Sequence, residues 1–520
     1  MQSANGTPSP FSATSAHLTP PSSSGVSRGS AAGSGADAAG GAGRGKSHSA
    51  DTSQILGSSP RLAPQRGAIH AATALLPTGW ADGVRVSIDA DGRIGTVETG
   101  VVALPGDHRV TALLPALSNL HSHTFQRAMA GLSESRGPSE RDSFWTWRAI
   151  MYRFLDVLTP DEIEAIAAFA FLEMQEAGFA AVAEFHYLHH QPGGTPYADL
   201  GELSARIAAA AAETDIGLTL LPVHYAQGGV DGRPIAGGQL RFGNDLDRFL
   251  ALHGRAREIL RDLPADTALG TAPHSLRAVS AADLTALSAE CTGPLHMHIA
   301  EQEKEIDETL AVFGARPVDW LLDNASVDAR WCLIHCTHMT PAETRALAAT
   351  GAVAGLCPVT EANLGDGIFN GADYLETGGR FGIGSDSNIR ISVADELRQF
   401  EYSQRLRDRA RVVLAGPGQS AGRNLYTKAV GGGAQALGRD SGAIAPGLCA
   451  DLVAIDPERD GLPGLSGDRI LDGFVFAGSN RSVTDLWSAG RHAVRDGRHL
   501  ARDGIVARYT ATIRAVLARL

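Results

Sequence analysis

An α/β fold is predicted for this chain: a (β/α)8 TIM-like barrel with a small β-sandwich domain built from N- and C-terminal segments, preceded by a disordered tail. Three observations predict it. Apolar strand-like runs alternate with longer helix-like stretches through the middle of the sequence, the pattern left by parallel strands joined through crossover helices. Short alternating stretches flank that region on both sides, and the first 65 residues carry almost no large apolar side chains.

Residues 1–65 are dominated by Ser, Gly, Ala, Thr and Pro, too little apolar surface to offset the entropy of ordering, so a disordered tail is expected there. Within it, GGAGRGKS (residues 40–47) matches the phosphate-loop pattern. That motif needs a buried strand before it and a helix after it to present backbone N–H groups to phosphate. Neither flanks it, and a glycine-rich tract yields such a match by chance.

Residues 66–115 read as the first part of the β-sandwich, with VRVSID (84–89) running into a turn at Asp91-Gly92. The barrel is assigned to 116–442. Its strand-like runs are LLPALSNL, AAVAEF, GLTLLPV, PLHMHIA, WCLIH, GAVAGLC and RFGIGSD, with helices expected through IEAIAAFAFLEMQEAG and LSARIAAAAAET. Residues 443–503, including ADLVAID and VTDLWSAGRHAVRDGRHL, return to alternation and form the second part of the sandwich. Residues 504–520 read as a terminal helix packed outside.

Composition limits the function classes. The 520 residues are 20% charged and 43% hydrophobic, with a net charge of -12, which disfavours nucleic acid as a partner. No run of about 18 apolar residues predicts a membrane span, and the N-terminus lacks the pattern of a secretory signal. Cys291, Cys332, Cys336, Cys357 and Cys449 are odd in number and show no CxxC pairing, so free thiols in a reducing cytoplasm are expected.

The chemistry gathers at strand ends. His121-Ser122-His123 closes the first barrel run, and residues at i and i+2 of a strand share a face, so both imidazoles can turn to one metal ion. PLHMHIAEQE supplies His296, His298 and Glu301, WCLIHCTH supplies His335, and RFGIGSDSN supplies Asp386. In a parallel barrel the C-terminal strand ends surround one site, which brings these distant residues together. Cys332, His335 and Cys336 offer a different cluster, but no second matching pair accompanies the two cysteines, and buried thiols are the simpler reading.

The ordered series HSH, HIAE, strand-terminal His and GSDS resembles the amidohydrolase superfamily in its aminohydrolase branch, over residues of about 68 to 500. The resemblance implies His121, His123, His298 and Asp386 as metal ligands, with Glu301, His335 and Asp386 handling protons and charge. It favours His298 over His296, because Glu301 follows three residues later, and leaves His338 as a weaker rival to His335. Binuclear relatives bridge two metals with a carbamylated lysine. This chain has no lysine between Lys46 and Lys304, so a lysine bridge is impossible there, whereas a carboxylate such as Glu184 stays open. One divalent metal per subunit is expected, with zinc the first choice and iron(II) or manganese as ions that fit related sites.

Three strings, NLHSHTFQRAMAGL, SFWTWRAIMYR and TAPHSLRAVS, extended by EFHYLHH and HMHIAEQ, resemble the formimidoylglutamate deiminases within that superfamily. The resemblance implies hydrolysis of N-formimino-L-glutamate to N-formyl-L-glutamate and ammonia, with Gln126, Arg148, Tyr187, His274 and Arg277 contacting the substrate. Physical chemistry agrees: a small dicarboxylate suits two guanidinium forks, whereas a flat nucleobase wants stacking and amide contacts. Taken singly, Arg148 is also readable as an exposed helix arginine and Arg277 as a helix cap. Other readings are a deaminase of guanine-like or cyclic amidine substrates and a non-catalytic barrel scaffold. Relatives of this type are often dimers, so a homodimer is compatible with the resemblance, and no nucleic-acid or membrane partner is expected.

Overall fold

A computed structural model describes residues 61–64, 67–136 and 144–520. The GGAGRGKS string and nearly all of the expected tail lie outside the described residues. At the end of that tail, the Leu62 N–H donates to Asp215 at 3.1 Å.

The chain opens with β1 (Ala68–Leu76) and β2 (Gly79–Ile88), an antiparallel pair closed over Pro77-Thr78. β3 (Ile94–Glu98) follows a turn in which the Asp89 carboxylate accepts from the N–H groups of Asp91 and Arg93. Gly92 takes the left-handed φ of +74° that this turn needs. β4 (His108–Pro115) runs parallel to β1, and after Ala116 the chain enters the barrel.

Eight positions make up the barrel wall. They are β5 (Leu117–Ser122), β6 (Phe179–His186), β7 (Gly217–His224), a broken fourth strand β8 (Ala268–Leu269) and β9 (Ala272–Pro273), β10 (Leu295–Ile299), β11 (Trp331–His335), β12 (Val353–Leu356) and β13 (Arg380–Ile383). All neighbours are parallel. Single bridges join Thr271 to Leu295 and Ser122 to Asp386, the second closing the ring. β6, β7, β11 and β12 are buried along their whole length, which is why they read as largely apolar runs rather than alternating ones.

The fourth strand is absent from the sequence reading for a physical reason. It pairs in two-residue pieces around Gly270, where a Cβ would stand 2.5 Å from the Leu221 side chain and 2.7 Å from the Pro294 carbonyl oxygen. Glycine is therefore required, and glycine weakens the strand pattern.

Helices wrap the strands, and their starts follow capping rules. Pro160–Glu176 and Pro341–Thr350 begin with capping boxes, Thr159 with Glu162 and Thr340 with Glu343, each with proline in the first turn. Ala421–Leu437 contains three consecutive glycines that helix propensity disfavours. Close approach explains two of them: a Cβ on Gly432 would fall 1.9 Å from the Phe381 carbonyl oxygen of β13, and one on Gly433 2.9 Å from the Ser118 carbonyl oxygen. Gly432→Ala is expected to destabilise the fold by about 1–3 kcal/mol, measured as a lower denaturation midpoint.

The chain then returns to the first sheet through β14 (Leu452–Ile455), β15 (Val483–Ser488), β16 (Arg491–Arg495) and β17 (Arg498–His499). The sheet order is β17-β16-β15-β14-β4-β1-β2-β3, with β14 antiparallel to β4. At its far edge β3 folds back, with Ile94 N–H bonded to Leu448 O and Gly447 N–H to Ile94 O. A small core of Ile69, Val84, Val86, Leu113, Leu452 and Trp487 is enclosed. Alternate residues Leu114, Val453 and Leu486 face the large core of the barrel instead.

Buried charges fasten sheet to barrel. Arg439 pairs with Asp451 and Asp266, and Arg491 pairs with the same Asp266. The last helix, Arg502–Leu517, packs outside on Pro160–Glu176 with Phe169 and Tyr509 stacked at 3.9 Å. It starts two residues before the expected boundary. All five cysteines are free and buried. No helix among the described residues is long and apolar enough to cross a membrane.

Candidate active site

Each residue assigned from the sequence to metal binding, proton transfer or substrate contact, except Gln126 and Arg148, sits at or just past the C-terminal end of a barrel strand. β5 ends on His121 and Ser122, with His123 next, and β10 carries His298 with Glu301 two residues beyond its end. β11 ends on His335, and Asp386 follows β13. Tyr187 follows β6, while His274 and Arg277 follow β9. Gln126 lies in the short helix Thr124–Met129, and Arg148 in the helix Phe144–Leu155.

The strand ends are bent to aim these groups. Ala300, His335, Cys336, Asp386 and Asn388 all adopt positive φ, between 44° and 73°. Such backbone costs on the order of 1–3 kcal/mol at each non-glycine residue and persists only where its surroundings hold it. Here they do: Asp386 N–H donates to His121 O at 2.9 Å, and His123 N–H donates to Asp386 O at 3.0 Å.

Four side chains converge at the bottom of the cavity. His298 Nε2 lies 3.0 Å from His121 Nε2, and Asp386 Oδ1 lies 3.4 Å from His121 Nε2 and 3.3 Å from His123 Nε2. His123 Nδ1 donates to Phe185 O and His298 Nδ1 to His274 O, so each of these rings keeps its Nε2 lone pair pointing inward. Burial depresses the pKa of all three histidines, that of His121 to about 3, so they are neutral. For Asp386 burial acts upward, but His121 and the neighbouring imidazoles outweigh it and hold the carboxyl below its usual range. Three neutral imidazole nitrogens and one carboxylate oxygen, buried and convergent, fit a divalent cation of the zinc type.

His335 and Glu301 stand beside this group. His335 Nε2 is 3.8 Å from Glu301, and His335 Nδ1 is 3.3 Å from Glu361. Burial opposes a charge on His335, yet the carboxylates of Glu301 and Glu361 prevail and push its pKa up to about 10. Burial also pushes Glu301 upward.

Above them a cavity of about 550 Å³ is lined by His123, His298, Glu301, His335 and Asp386 at its base. Gln126, Arg148, Tyr187, His274 and Arg277 line its walls. Gln126 donates to the Tyr187 hydroxyl at 2.8 Å, while Gln126 Oε1 has no hydrogen-bond partner. Arg148 reaches the Tyr225 hydroxyl at 3.3 Å, lies over the Tyr152 ring at 5.2 Å, and has no carboxylate partner among the described residues. Arg277 lies 3.7 Å from Glu301, and its buried Nε has no partner. A buried guanidinium donor left unmet, as Arg277 Nε is, is expensive unless an acceptor completes it.

The alternatives weighed from the sequence sort out by position. His296 bonds through Nε2 to Ala436 O, and His338 to Asp366 O, so neither joins the convergent group. Glu184 Oε1 accepts from Thr124 N–H and Oγ1, and burial pushes Glu184 up to about 7. Of the thiols, Cys357 lies within ligand reach of His335 and Glu361, while Cys332 and Cys336 do not enter that group.

Some members of the site escaped sequence reasoning. Trp147, Met151, Phe242 and Leu364 complete the cavity walls, and nothing in their spacing marks them. Asn119, Ser385 and Asn388 form a buried chain behind the ligands: Asn119 donates to Ser385 Oγ, Ser385 to Asn388 Oδ1, and Asn388 to the carbonyls of His123 and Asp386. The signal available was the polar residue beside each ligand string, SNLHSH and GSDSN. Asn388→Ala is expected to weaken metal binding about 10- to 100-fold, measured by competition with a chelator.

A family model described as "Amidohydrolase family" matches residues 112–493, and one described as "Formimidoylglutamate deiminase HutF, N-terminal domain" matches residues 66–111. The chain is 51% identical over 439 residues to the formimidoylglutamate deiminase of Pseudomonas aeruginosa, covering 84% of this chain and 96% of that one. It is 50% identical to an amidohydrolase of Brucella melitensis of known crystal structure, with a TM-score of 0.83 over 87% of this chain and all of that one. A zinc-bound adenosine deaminase from Xanthomonas campestris shares the fold at 21% identity and a TM-score of 0.72, over 88% of this chain and all of that one.

Proposed function

The chain belongs to the amidohydrolase family, and from that premise we propose that it is the hydrolase that converts N-formimino-L-glutamate to N-formyl-L-glutamate and ammonia, a metal-dependent step of histidine degradation. The observation that carries the substrate reading is the pair of guanidiniums on the cavity wall, Arg148 with no carboxylate partner among the described residues and Arg277 with an unpartnered Nε, over a cluster of three imidazoles and a carboxylate. A small linear amidine with two carboxylates meets both requirements at once. Its anionic end completes the forks, and its formimino carbon reaches the cluster.

His121, His123, His298 and Asp386 would hold one divalent cation, zinc by the nature of the donors. That ion supplies Lewis acidity, lowering the pKa of water toward about 7. Asp386 takes the proton as water adds to the formimino carbon. Glu301, at the cavity base and within 4 Å of both His335 and Arg277, passes a proton to the departing nitrogen. His335 is held between the Glu301 and Glu361 carboxylates and donates a hydrogen bond to the negative charge that develops on the tetrahedral carbon's substituent. The carbon–nitrogen bond then breaks as the added oxygen gives up its remaining proton and the nitrogen gains its second, so that ammonia leaves and the formyl carbonyl remains. Gln126, Tyr187 and His274 orient the dicarboxylate beside the two arginines.

Ammonia release from formiminoglutamate, compared with a panel of nucleobases and cyclic amidines, tests the reading. Activity on formiminoglutamate is expected, and its absence from metal-loaded enzyme overturns the substrate assignment. Arg148→Leu and Arg277→Leu should each lower kcat/KM by about 10- to 100-fold, mostly through KM. The proposal includes one zinc per subunit and residence in the cytoplasm, where five free thiols are stable.

A further inference from the structure

A second convergent group lies on the small sheet, and none of its residues lines the active-site cavity. His108 opens β4, Asp485 is on β15 and His492 is on β16. His108 Nε2 and His492 Nε2 each lie 2.9 Å from the same oxygen, Asp485 Oδ1. All three ligand-capable atoms fall within 4.8 Å of one another.

We propose that His108, Asp485 and His492 form a second divalent-cation site, of the zinc class, that ties the first strands of the chain to the last. The donor set is two imidazoles and one carboxylate, which borderline ions such as zinc accept. Bonds of about 2.0–2.1 Å place tetrahedral ligand atoms about 3.3 Å apart, so the nitrogens need to withdraw from Asp485 by only a few tenths of an ångström. On binding, each neutral ring carries its single proton on Nδ1 instead of Nε2, and two N–H···O bonds become two N–metal bonds.

The surroundings support this use. Trp487 stacks on His492 at 4.3 Å between centroids and meets His108 edge-on at 5.5 Å, which fixes both rings. Burial acts to raise Asp485, but the two imidazoles outweigh it and keep the carboxylate ionised. The His108 side chain is 35% exposed, against 10% for Asp485 and 4% for His492, so one side stays open for water to complete the coordination.

The ligands come from opposite ends of the chain. His108 belongs to the strands that precede the barrel, whereas Asp485 and His492 belong to those that follow it. An ion there closes a loop of several hundred residues and stabilises the folded sheet by mass action.

The test is metal counting on chelator-stripped protein dialysed against excess zinc chloride. Wild-type protein is expected to hold one more zinc per chain than either His108→Gln or His492→Gln, with ammonia release from formiminoglutamate at the wild-type rate in both variants. Equal zinc content in the wild type and the variants overturns the proposal and leaves the three residues as a hydrogen-bonded triad. Should the buried His492→Gln fail to fold, the partly exposed His108→Gln decides alone. Its unchanged turnover certifies that the protein is intact.

Discussion

Glu301→Gln is expected to reduce ammonia release from formiminoglutamate by about 100- to 10,000-fold while the bound metal is retained. Glutamine has the shape of glutamate and its hydrogen-bonding reach, but it cannot gain and lose a proton. Glu301 lies outside the convergent group of His121, His123 and His298, so the ligands are untouched by the change. Its neighbours are His335 at 3.8 Å and Arg277 at 3.7 Å, and it is 5% exposed. The variant should therefore bind substrate and lose the step that delivers a proton to nitrogen. Steady-state kinetics with metal content measured on the same sample reads both. Wild-type turnover in the variant would remove Glu301 from proton transfer.

Arg439→Met should cost about 3–5 kcal/mol of stability, the largest effect expected from a single change outside the cavity. The Arg439 side chain is 4% exposed and is held by Asp451 at 2.6 Å and Asp266 at 2.8 Å. Methionine fills part of the volume but leaves Asp451 buried and short of a partner, and it leaves Asp266 to Arg491 alone. An uncompensated buried carboxylate is what makes one-sided removal so costly. Denaturant unfolding of the two proteins measures the difference.

The pH dependence of that loss has a definite sign. Burial alone would raise Asp266, but Arg491 and Arg439 prevail and its pKa is lowered in the folded protein. A depressed folded pKa contributes stability that is complete above the unfolded value of about 4. That contribution disappears as pH falls through the lower folded value. The gap between wild type and Arg439→Met should hence be widest near neutrality and narrow in acid. A gap independent of pH would point to packing rather than charge.

Legibility from sequence followed how local each cause is. His121 and His123 were readable because two residues on one strand face need no tertiary information. Glu301 was readable because it follows His298 by three residues in one string. Arg148 and Arg277 were nameable through family resemblance but remained open to bland readings, since only the tertiary structure places both guanidinium groups on the cavity wall. Trp147, Phe242 and Leu364 could not be read at all, because an apolar side chain on a cavity wall looks like any other core residue. Glu361 was missed for a similar reason. Its role depends on standing 3.3 Å from His335 on the helix Pro358–Leu364, and a lone glutamate three residues after a proline carries no mark of that.

By itself the sequence determined the order and kind of elements, seven of the eight barrel strands and the residues at their ends, because burial on both faces writes an apolar run that needs no partner to be recognised. Tertiary structure alone decided the rest. It supplied the broken fourth strand around Gly270, the left-handed backbone that turns His335 and Asp386 inward, and the buried chain from Asn119 through Ser385 to Asn388. It also determined which of His296 and His298 faces the convergent group. The physical reason is range: alternation and capping act over a few residues, whereas close approach, strain and unpartnered donors arise only when segments hundreds of residues apart are packed together.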